Sequence, residues 1–270
     1  MIVVEDLEFV YPDGTRAVDG VTLSIPTGER LAIVGQNGSG KSTLVRHFNG
    51  LLRPTRGRVI VGDEDAAGRR VAQLAAIVGL AFQDPDRQIF AGKVRQEVAF
   101  GAANLGRRGV VLDQTVAAAL EATGLASYAD ANPYDLGYSQ RKLLALASIL
   151  AMETPVVVLD EPTTGQDARG VARVQAIVAQ LAAAGRTVVA ISHDMRFVAE
   201  SFGRVVVMGT GRVLLDATPA TVFGAESWEA LASTYLEPPL AARVGAYLGL
   251  GATPTEAALV SALSNQATAR

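Results

Sequence analysis

Eight residues near the start of the chain, "GQNGSGKS" (35–42), have the types and spacing to hold a polyphosphate. Gly35, Gly38 and Gly40 let main-chain N–H groups curl around anionic oxygens, and a helix starting just after them adds positive potential. Lys41 is then in reach of β- and γ-phosphates, and the Ser42 hydroxyl suits a Mg²⁺ ion. The pattern G-x-x-x-x-G-K-[ST] requires a strand before it and a helix after it. "RLAIVG" (30–35) reads as a strand buried on both faces, and "KSTLVRHFNGLL" (41–52) as a helix. The plain alternative is a Gly/Ser-rich turn that merely precedes a helix.

A second constellation follows an apolar run. "VVVLDEP" (156–162) ends in adjacent carboxylates, Asp160 and Glu161. In an open parallel sheet the strand C-termini line the ligand crevice, which puts both near the phosphate loop. Asp160 suits the Mg²⁺ shell, and Glu161 suits a base that polarises an attacking water. Capping of the next helix is the bland alternative for both. His193 ends the next strand, in "AISHD", at the same sheet edge, where it is placed to sense a γ-phosphate and fix the water.

These groups need a sheet to position them. "MIVVEDLEFV" and "AVDGVTLSI" read as strands joined by a turn at "PDGT". "GRVIVG" (57–62), "AAIVGLAFQ" (75–83), "PVVVLD" (155–160), "TVVAIS" (187–192), "RVVVM" (204–208) and "RVLLD" (212–216) supply further strands. From about 84 to 150 helical periods replace them, which suggests a helical insertion. Val171, Val174, Val178 and Leu181 fall at helical spacing between two of the strands. Strands alternating with helices imply an α/β fold with a mainly parallel sheet. The expected division is a nucleotide-binding domain over 1–221 and a small helical extension over 222–270, which contains Trp228 and a Pro238-Pro239 break.

Composition narrows the classes. The 270 residues, 49% of them apolar, support a sizeable core. Lys+Arg number 24 against 27 Asp+Glu, a net charge of -3 that argues against a broad nucleic-acid surface. With no cysteine, thiol catalysis, disulfides and cysteine–zinc sites are excluded, and a count of two histidines argues against a histidine-rich metal site. No leader pattern opens the chain and no run of 18 apolar residues occurs. The expectation is a soluble cytoplasmic protein whose membrane role, if any, comes through a partner.

With the phosphate loop, "FQDP" (82–85), "VVVLDEPTTGQD" (156–167) and "ISHD" (191–194) in this order, the chain resembles the nucleotide-binding subunit of an ATP-binding-cassette (ABC) transporter over about residues 1–220. The resemblance implies a P-loop NTPase core with an N-terminal antiparallel part, and ATP and Mg²⁺ as cofactors. It implies that Tyr11 stacks on adenine, and that Asn37, Ser39 and Thr43 share in holding the nucleotide. It makes Gln83 a catalytic and metal-linked glutamine whose loop reaches the membrane partner, and Asp167 the aspartate of a loop crossing a dimer interface. "FQDPDRQIFAGKVRQEVAFGAANLG" (82–106) more narrowly resembles energy-coupling factor transporters, the ATPases that drive vitamin or transition-metal uptake. Their partners are a transmembrane coupling protein and a substrate-capturing membrane protein, which implies a peripheral place on the cytoplasmic face of the membrane.

In that family the segment before the second strand motif carries a signature, usually Leu-Ser-Gly-Gly-Gln, that contacts ATP bound to a second subunit. The matching residues here are Leu136, Gly137, Tyr138, Ser139 and Gln140, an irregular version. Gly137 lacks the hydroxyl and Tyr138 adds bulk, while Ser139 offers a displaced hydroxyl. An ordinary amphipathic helix with Leu143, Leu146, Ala147 and Leu150 on its core face is also consistent with this stretch. Two assemblies follow: a heterodimer in which a related ATPase completes this chain's site, or a homodimer in which Ser139 suffices. A nucleotide-gated clamp on DNA or ribosomes, and a non-hydrolysing regulatory subunit, are the competing classes. The single cassette without a heptad run disfavours the first, and Glu161 with His193 disfavours the second.

Overall fold

The computed structural model describes residues 1–268. Among the described residues ten strands form two sheets: β1 (Ile2–Val10), β2 (Arg16–Ile25), β3 (Arg30–Val34), β4 (Arg56–Val61), β5 (Glu64–Asp65), β6 (Val78–Ala81), β7 (Val156–Asp160), β8 (Thr187–Ile191), β9 (Arg204–Gly209) and β10 (Arg212–Ala217). The smaller sheet is antiparallel, in the order β2-β1-β4-β5; the larger runs β10-β9-β3-β8-β7-β6. Neighbours from β9 to β6 are parallel, and β10 returns antiparallel on β9.

Successive side chains of a strand point to opposite faces, and here each face has its own core. Leu31 and Ile33 of β3 join Val156 and Val158 of β7 and Val189 and Ile191 of β8 in a cluster under the smaller sheet. Ala32, Val34, Val157, Leu159, Val188 and Ala190 join the cluster on the other face. Burial on both faces explains why these strands are continuous apolar runs rather than alternating ones.

Helices fill the connections: α1 (Lys41–Phe48), α2 (Val71–Ala75), α3 (Val94–Asn104), α4 (Gly109–Thr123), α5 (Tyr138–Met152), α6 (Ala168–Ala183) and α7 (Met195–Ser201). The C-terminal residues add α8 (Pro219–Val222), α9 (Trp228–Ala232), α10 (Leu240–Tyr247) and α11 (Glu256–Thr268). Among the described residues no helix is long and apolar enough to cross a membrane.

Four local expectations need correction. The run 75–83 is a strand only over Val78–Ala81; Ala75 closes α2, and the chain turns before pairing with β7. The first helix stops at Phe48, well short of residue 52. On α6 the core positions are Val174, Ile177, Val178 and Leu181, with Val171 only half-buried near the helix start. The signature helix α5 is not one-sided either: Lys142 through Ile149 are all buried, and Leu150 is half-buried. It lies between the sheet and the helical layer of α3 and α4, so nearly every side chain meets protein.

Candidate functional site

The order β3-β8-β7 brings three chain segments to one sheet edge. Ile191 of β8 is aligned with both Ile33 of β3 and Asp160 of β7. The phosphate loop, His193 and Asp160 with Glu161 therefore leave neighbouring strand ends within roughly 10 Å, two inter-strand spacings. A cleft of about 300 Å³ opens there, lined by Tyr11, Asn37, Gly38, Gly40, Lys41, Ser42, Thr43, Gln83, Asp160, Glu161 and His193 among others.

The loop's shape depends on two glycines. Gly35 has φ 148° and Gly40 φ 97°, both outside the range that side chains readily adopt. A Cβ on Gly35 would collide with the Met208 carbonyl and stand 2.8 Å from Ser39 Oγ; on Gly40 it would strike the Ala17 carbonyl. Inside this curl Lys41 Nζ donates to the carbonyls of Gly35 at 2.6 Å and Gln36 at 2.8 Å, with fully buried Ser39 offering Oγ at 3.5 Å. Burial pulls the Lys41 ammonium below its ordinary pKa, while the charges of Glu161 and Asp160 oppose that shift.

Asp160 is 4% exposed, and its Oδ1 is buried without a hydrogen-bond partner. Burial raises its pKa, opposed first by the Ser42 hydroxyl and then by Arg46, Lys41 and Lys142. An orphaned buried carboxylate oxygen beside a hydroxyl fits a hard, oxygen-seeking cation. Mg²⁺ is characteristically held by one or two carboxylates together with substrate phosphates rather than by an all-protein cage. Among the described residues no group of three or more His, Asp or Glu gathers as a self-sufficient metal site.

Glu161 is the most constrained residue of the cleft. Its φ of 53° is left-handed, a conformation that costs a non-glycine residue roughly 1–3 kcal/mol and clusters at functional sites. Its main-chain N–H donates to the Ile191 carbonyl at 2.9 Å. Its Oε2 accepts from the Thr164 hydroxyl at 3.2 Å and the His193 main-chain N–H at 3.3 Å. Its Oε1 lies 3.2 Å from His193 Nε2, but out of line for a hydrogen bond. Burial raises the Glu161 pKa, with the nearby His193 charge as the main opposing influence.

At the other end of the cleft the Tyr11 and Thr43 hydroxyls share a hydrogen bond at 3.0 Å. The Tyr11 ring also meets Phe9 edge-on at 4.9 Å. Gln83 is exposed just beyond β6 and faces the cleft. The turn that follows is shaped by Asp84, which accepts from the Asp86 N–H at 3.1 Å, and by Gln88, which donates to the Ala145 carbonyl of α5 at 2.8 Å.

Ser139, Gln140 and Asp167 do not line this cleft. Gln140 Oε1 accepts the Gly137 N–H at 3.0 Å at the start of α5. The Ser139 hydroxyl donates to Gln166 Oε1 at 2.7 Å, and Gln166 Nε2 returns to the Ser139 carbonyl at 3.0 Å. Asp167 caps α6 by accepting the Gly170 N–H at 2.7 Å.

Two residues escaped the sequence reading. Arg16 lines the cleft beside Tyr11, paired to Asp19 at 2.8 Å; its only signal was a basic residue directly after the first turn. Lys142 is 7% exposed inside α5, and its ammonium donates to the main-chain carbonyls of Glu161 and, at 3.1 Å, Thr164. A buried ammonium costs several kcal/mol unless its N–H groups are satisfied. The signal was a lone lysine at the head of the apolar run "LLALASIL".

Comparison with known proteins converges on one family. The model of the ABC transporter domain matches residues 18–164. A putative ABC transporter ATP-binding protein of Caldanaerobacter subterraneus is 42% identical over 88% of this chain and 42% of its own length. The energy-coupling factor transporter ATP-binding protein EcfA of Methanothermobacter thermautotrophicus is 40% identical over 83% of this chain and 72% of its own. The solved structure of cbiO1 from Clostridium perfringens, described as part of the ABC transporter complex cbiONQ, superposes with a TM-score of 0.75 at 36% identity, covering 85% of this chain and 93% of that one. The chain spans about two-fifths of the length of the longer curated relatives it matches. With a phosphate loop, a parallel core and an N-terminal antiparallel sheet all in place, the chain belongs to the ABC transporter family and carries its ABC ATPase domain.

Proposed function

We propose that this chain is the ATP-hydrolysing subunit of an energy-coupling factor transporter, binding ATP at a dimer interface to power micronutrient uptake. The observation that carries the catalytic part is the convergence of Lys41, Ser42, Asp160, Glu161 and His193 in one cleft. The phosphate loop's N–H groups and Lys41 hold the polyphosphate, and Tyr11 carries the base. Ser42, Asp160 and Gln83 hold Mg²⁺, which when bound neutralises phosphate charge and polarises the transferred phosphoryl group. Glu161 takes a proton from the attacking water, and His193, touching both oxygens of that carboxylate, keeps it aimed into the cleft.

The dimer reading is supported by Ser139, Gln140 and Asp167 lying away from the cleft of their own chain. In the proposed sandwich the N-terminus of α5 meets the nucleotide of the second subunit, either a copy of this chain or a related ATPase. The membrane reading is supported by the EcfA relatives and by cbiO1, a part of a multi-protein transporter. Phe90 and Phe100 agree with it. They are exposed, stack edge-on at 4.7 Å beside the Gln83 loop, and offer apolar area to a partner. Residues 1–221 are taken as the cassette and 222–270 as its helical extension, with the whole seated peripherally on the cytoplasmic face of the membrane.

Phosphate release from ATP tests the reading directly. Glu161→Gln should cut turnover in the presence of Mg²⁺ by about a thousandfold, to a small measurable residue, while ATP binding persists. Turnover at the wild-type rate would overturn the assignment of Glu161. Recovery of a transmembrane protein with the tagged chain from detergent-solubilised membranes tests the coupling.

A further inference from the structure

We propose that Lys142 is a positioning residue for ATP hydrolysis: from the signature helix α5 it holds the main-chain carbonyl of Glu161, and with it the aim of the Glu161 carboxylate. The inference rests on Glu161 acting as the base.

The environment of Lys142 is unlike that of a lysine kept for solubility or for a surface ion pair. It is 7% exposed, and its neighbours on α5 from Leu143 to Ile149 are buried as well. Among the described residues no carboxylate lies within ion-pair distance of Nζ. Its acceptors are two main-chain carbonyls, of Glu161 and of Thr164. Glu161 is thereby gripped at both of its backbone polar groups, its N–H by β8 and its C=O by α5. That grip matters because the residue sits in a left-handed conformation that a relaxed chain would leave.

The same segment is tied to the first turn of α5 at two further points. The Tyr138 ring lies against Gly165, where an added Cβ would come within 2.9 Å of Tyr138 Cε1, and the ring centroid is 5.9 Å from Lys142 Nζ. Ser139 exchanges two hydrogen bonds with Gln166. Residues 161–166 are therefore held to the signature at Glu161 and Thr164, at Gly165 and at Gln166. A shift of the α5 N-terminus pulls on the carbonyl of the catalytic base through Lys142. The lysine touches no reacting atom; it acts through Glu161.

Turnover and ATP binding of the full-length chain test this in the wild type, Lys142→Met, Lys142→Arg, Glu161→Gln and the Lys142→Met/Glu161→Gln double variant. Lys142→Met should lower kcat by about thirtyfold with KM and ATP Kd within about twofold, the mark of an interaction that serves only the chemical step. Lys142→Arg, which still presents N–H donors to both carbonyls, should recover to within about fivefold of wild type. In the Glu161→Gln background Lys142→Met should change residual turnover less than about twofold, because two groups acting as one unit are not additive. A wild-type kcat in Lys142→Met beside an inactive Glu161→Gln overturns the role of Lys142 alone. Parallel losses in kcat and Kd that add to those of Glu161→Gln would overturn it too, as simple packing. Full turnover in Glu161→Gln would remove the base itself, and the proposal with it. If Lys142→Met does not fold, Lys142→Gln, which keeps one amide donor, carries the same readouts.

Discussion

His193 addresses both oxygens of Glu161: its ring Nε2 stands 3.2 Å from Oε1, and its main-chain N–H donates to Oε2 at 3.3 Å. The carboxylate is thus oriented from β8, one strand away from its own β7, by a residue whose side chain remains 39% exposed to the cleft. Burial raises the Glu161 pKa, and the charge of His193 is the largest influence pulling it back.

That opposition sets the pH behaviour of turnover. As the proposed base, Glu161 accepts a proton only while ionised, so activity should fall as pH drops through a value above the ordinary glutamate range. His193→Ala removes the leading counter-influence, and the acid limb of the kcat profile should move to higher pH. At pH 7 the variant should lose about a hundredfold in kcat, in keeping with the loss of one positioned polar group in proton transfer. A limb that stays in place or moves to lower pH would separate His193 from the base.

The same burial makes Glu161 a stability liability. A carboxyl group whose folded pKa lies above its unfolded one binds its proton more tightly in the folded chain, so the stability it lends is fully present below the unfolded pKa and is lost as pH rises through the folded pKa. Glu161→Gln keeps the shape without the charge. In nucleotide-free protein with chelator present at pH 7.5, roughly neutral conditions, the variant should melt a few degrees higher than wild type, while its turnover is lost. The difference in Tm should shrink as pH is lowered and the wild-type carboxyl takes up its proton. A variant that melts lower throughout would mean that its contacts with Thr164 and His193 outweigh the cost of the buried charge.

Gly40 offers a test of the phosphate cradle that involves no charge. With φ 97° and the Ala17 carbonyl where a Cβ would sit, Gly40→Ala has to strain or displace the loop. It should cost about 1–3 kcal/mol of stability and weaken ATP binding by more than about tenfold. Gly68→Ala, which meets nothing within 4 Å and has an ordinary φ, is the matched control and should stay within about 0.5 kcal/mol. Wild-type ATP affinity in Gly40→Ala would mean the loop does not need this curl.

Much of this was written locally in the sequence. The phosphate loop is eight consecutive residues, and β7 and β8 declare themselves as apolar runs because both faces of the sheet are covered. The adjacency of β3, β8 and β7 is a different matter, since chain order separates β3 from β8 by about 150 residues and the pairing is set by the whole packed sheet. A helical period can only mark one face, so it missed that α5 is enclosed by the sheet on one side and by α3 and α4 on the other. Lys142 was invisible for a related reason. A lysine reads as surface, and its acceptors arrive 19 and 22 residues later on another element.

The irregular signature yields the last prediction. Gly137 gives α5 no side-chain cap, Tyr138 is 43% exposed at the helix start, and the Ser139 hydroxyl is already engaged by Gln166 within the chain. Neither Gly137 nor Ser139 therefore offers a free short hydroxyl at the start of α5, and Tyr138 puts a bulky phenol there, which leaves the helix N-terminus and main-chain N–H groups as the main attraction for a foreign γ-phosphate. Mass by light scattering of Glu161→Gln, with and without ATP, should accordingly show weak self-association. Adding Gly137→Ser, Tyr138→Gly and Ser139→Gly supplies the hydroxyl and removes the ring, and ATP should then drive dimers at concentrations about tenfold lower, the worth of one charge-assisted hydrogen bond. If the unaltered signature already dimerises tightly with ATP, a homodimer becomes the natural assembly. If neither form dimerises while both bind ATP, the second subunit has to be a different ATPase, one whose own signature completes the site built on Lys41 and Glu161.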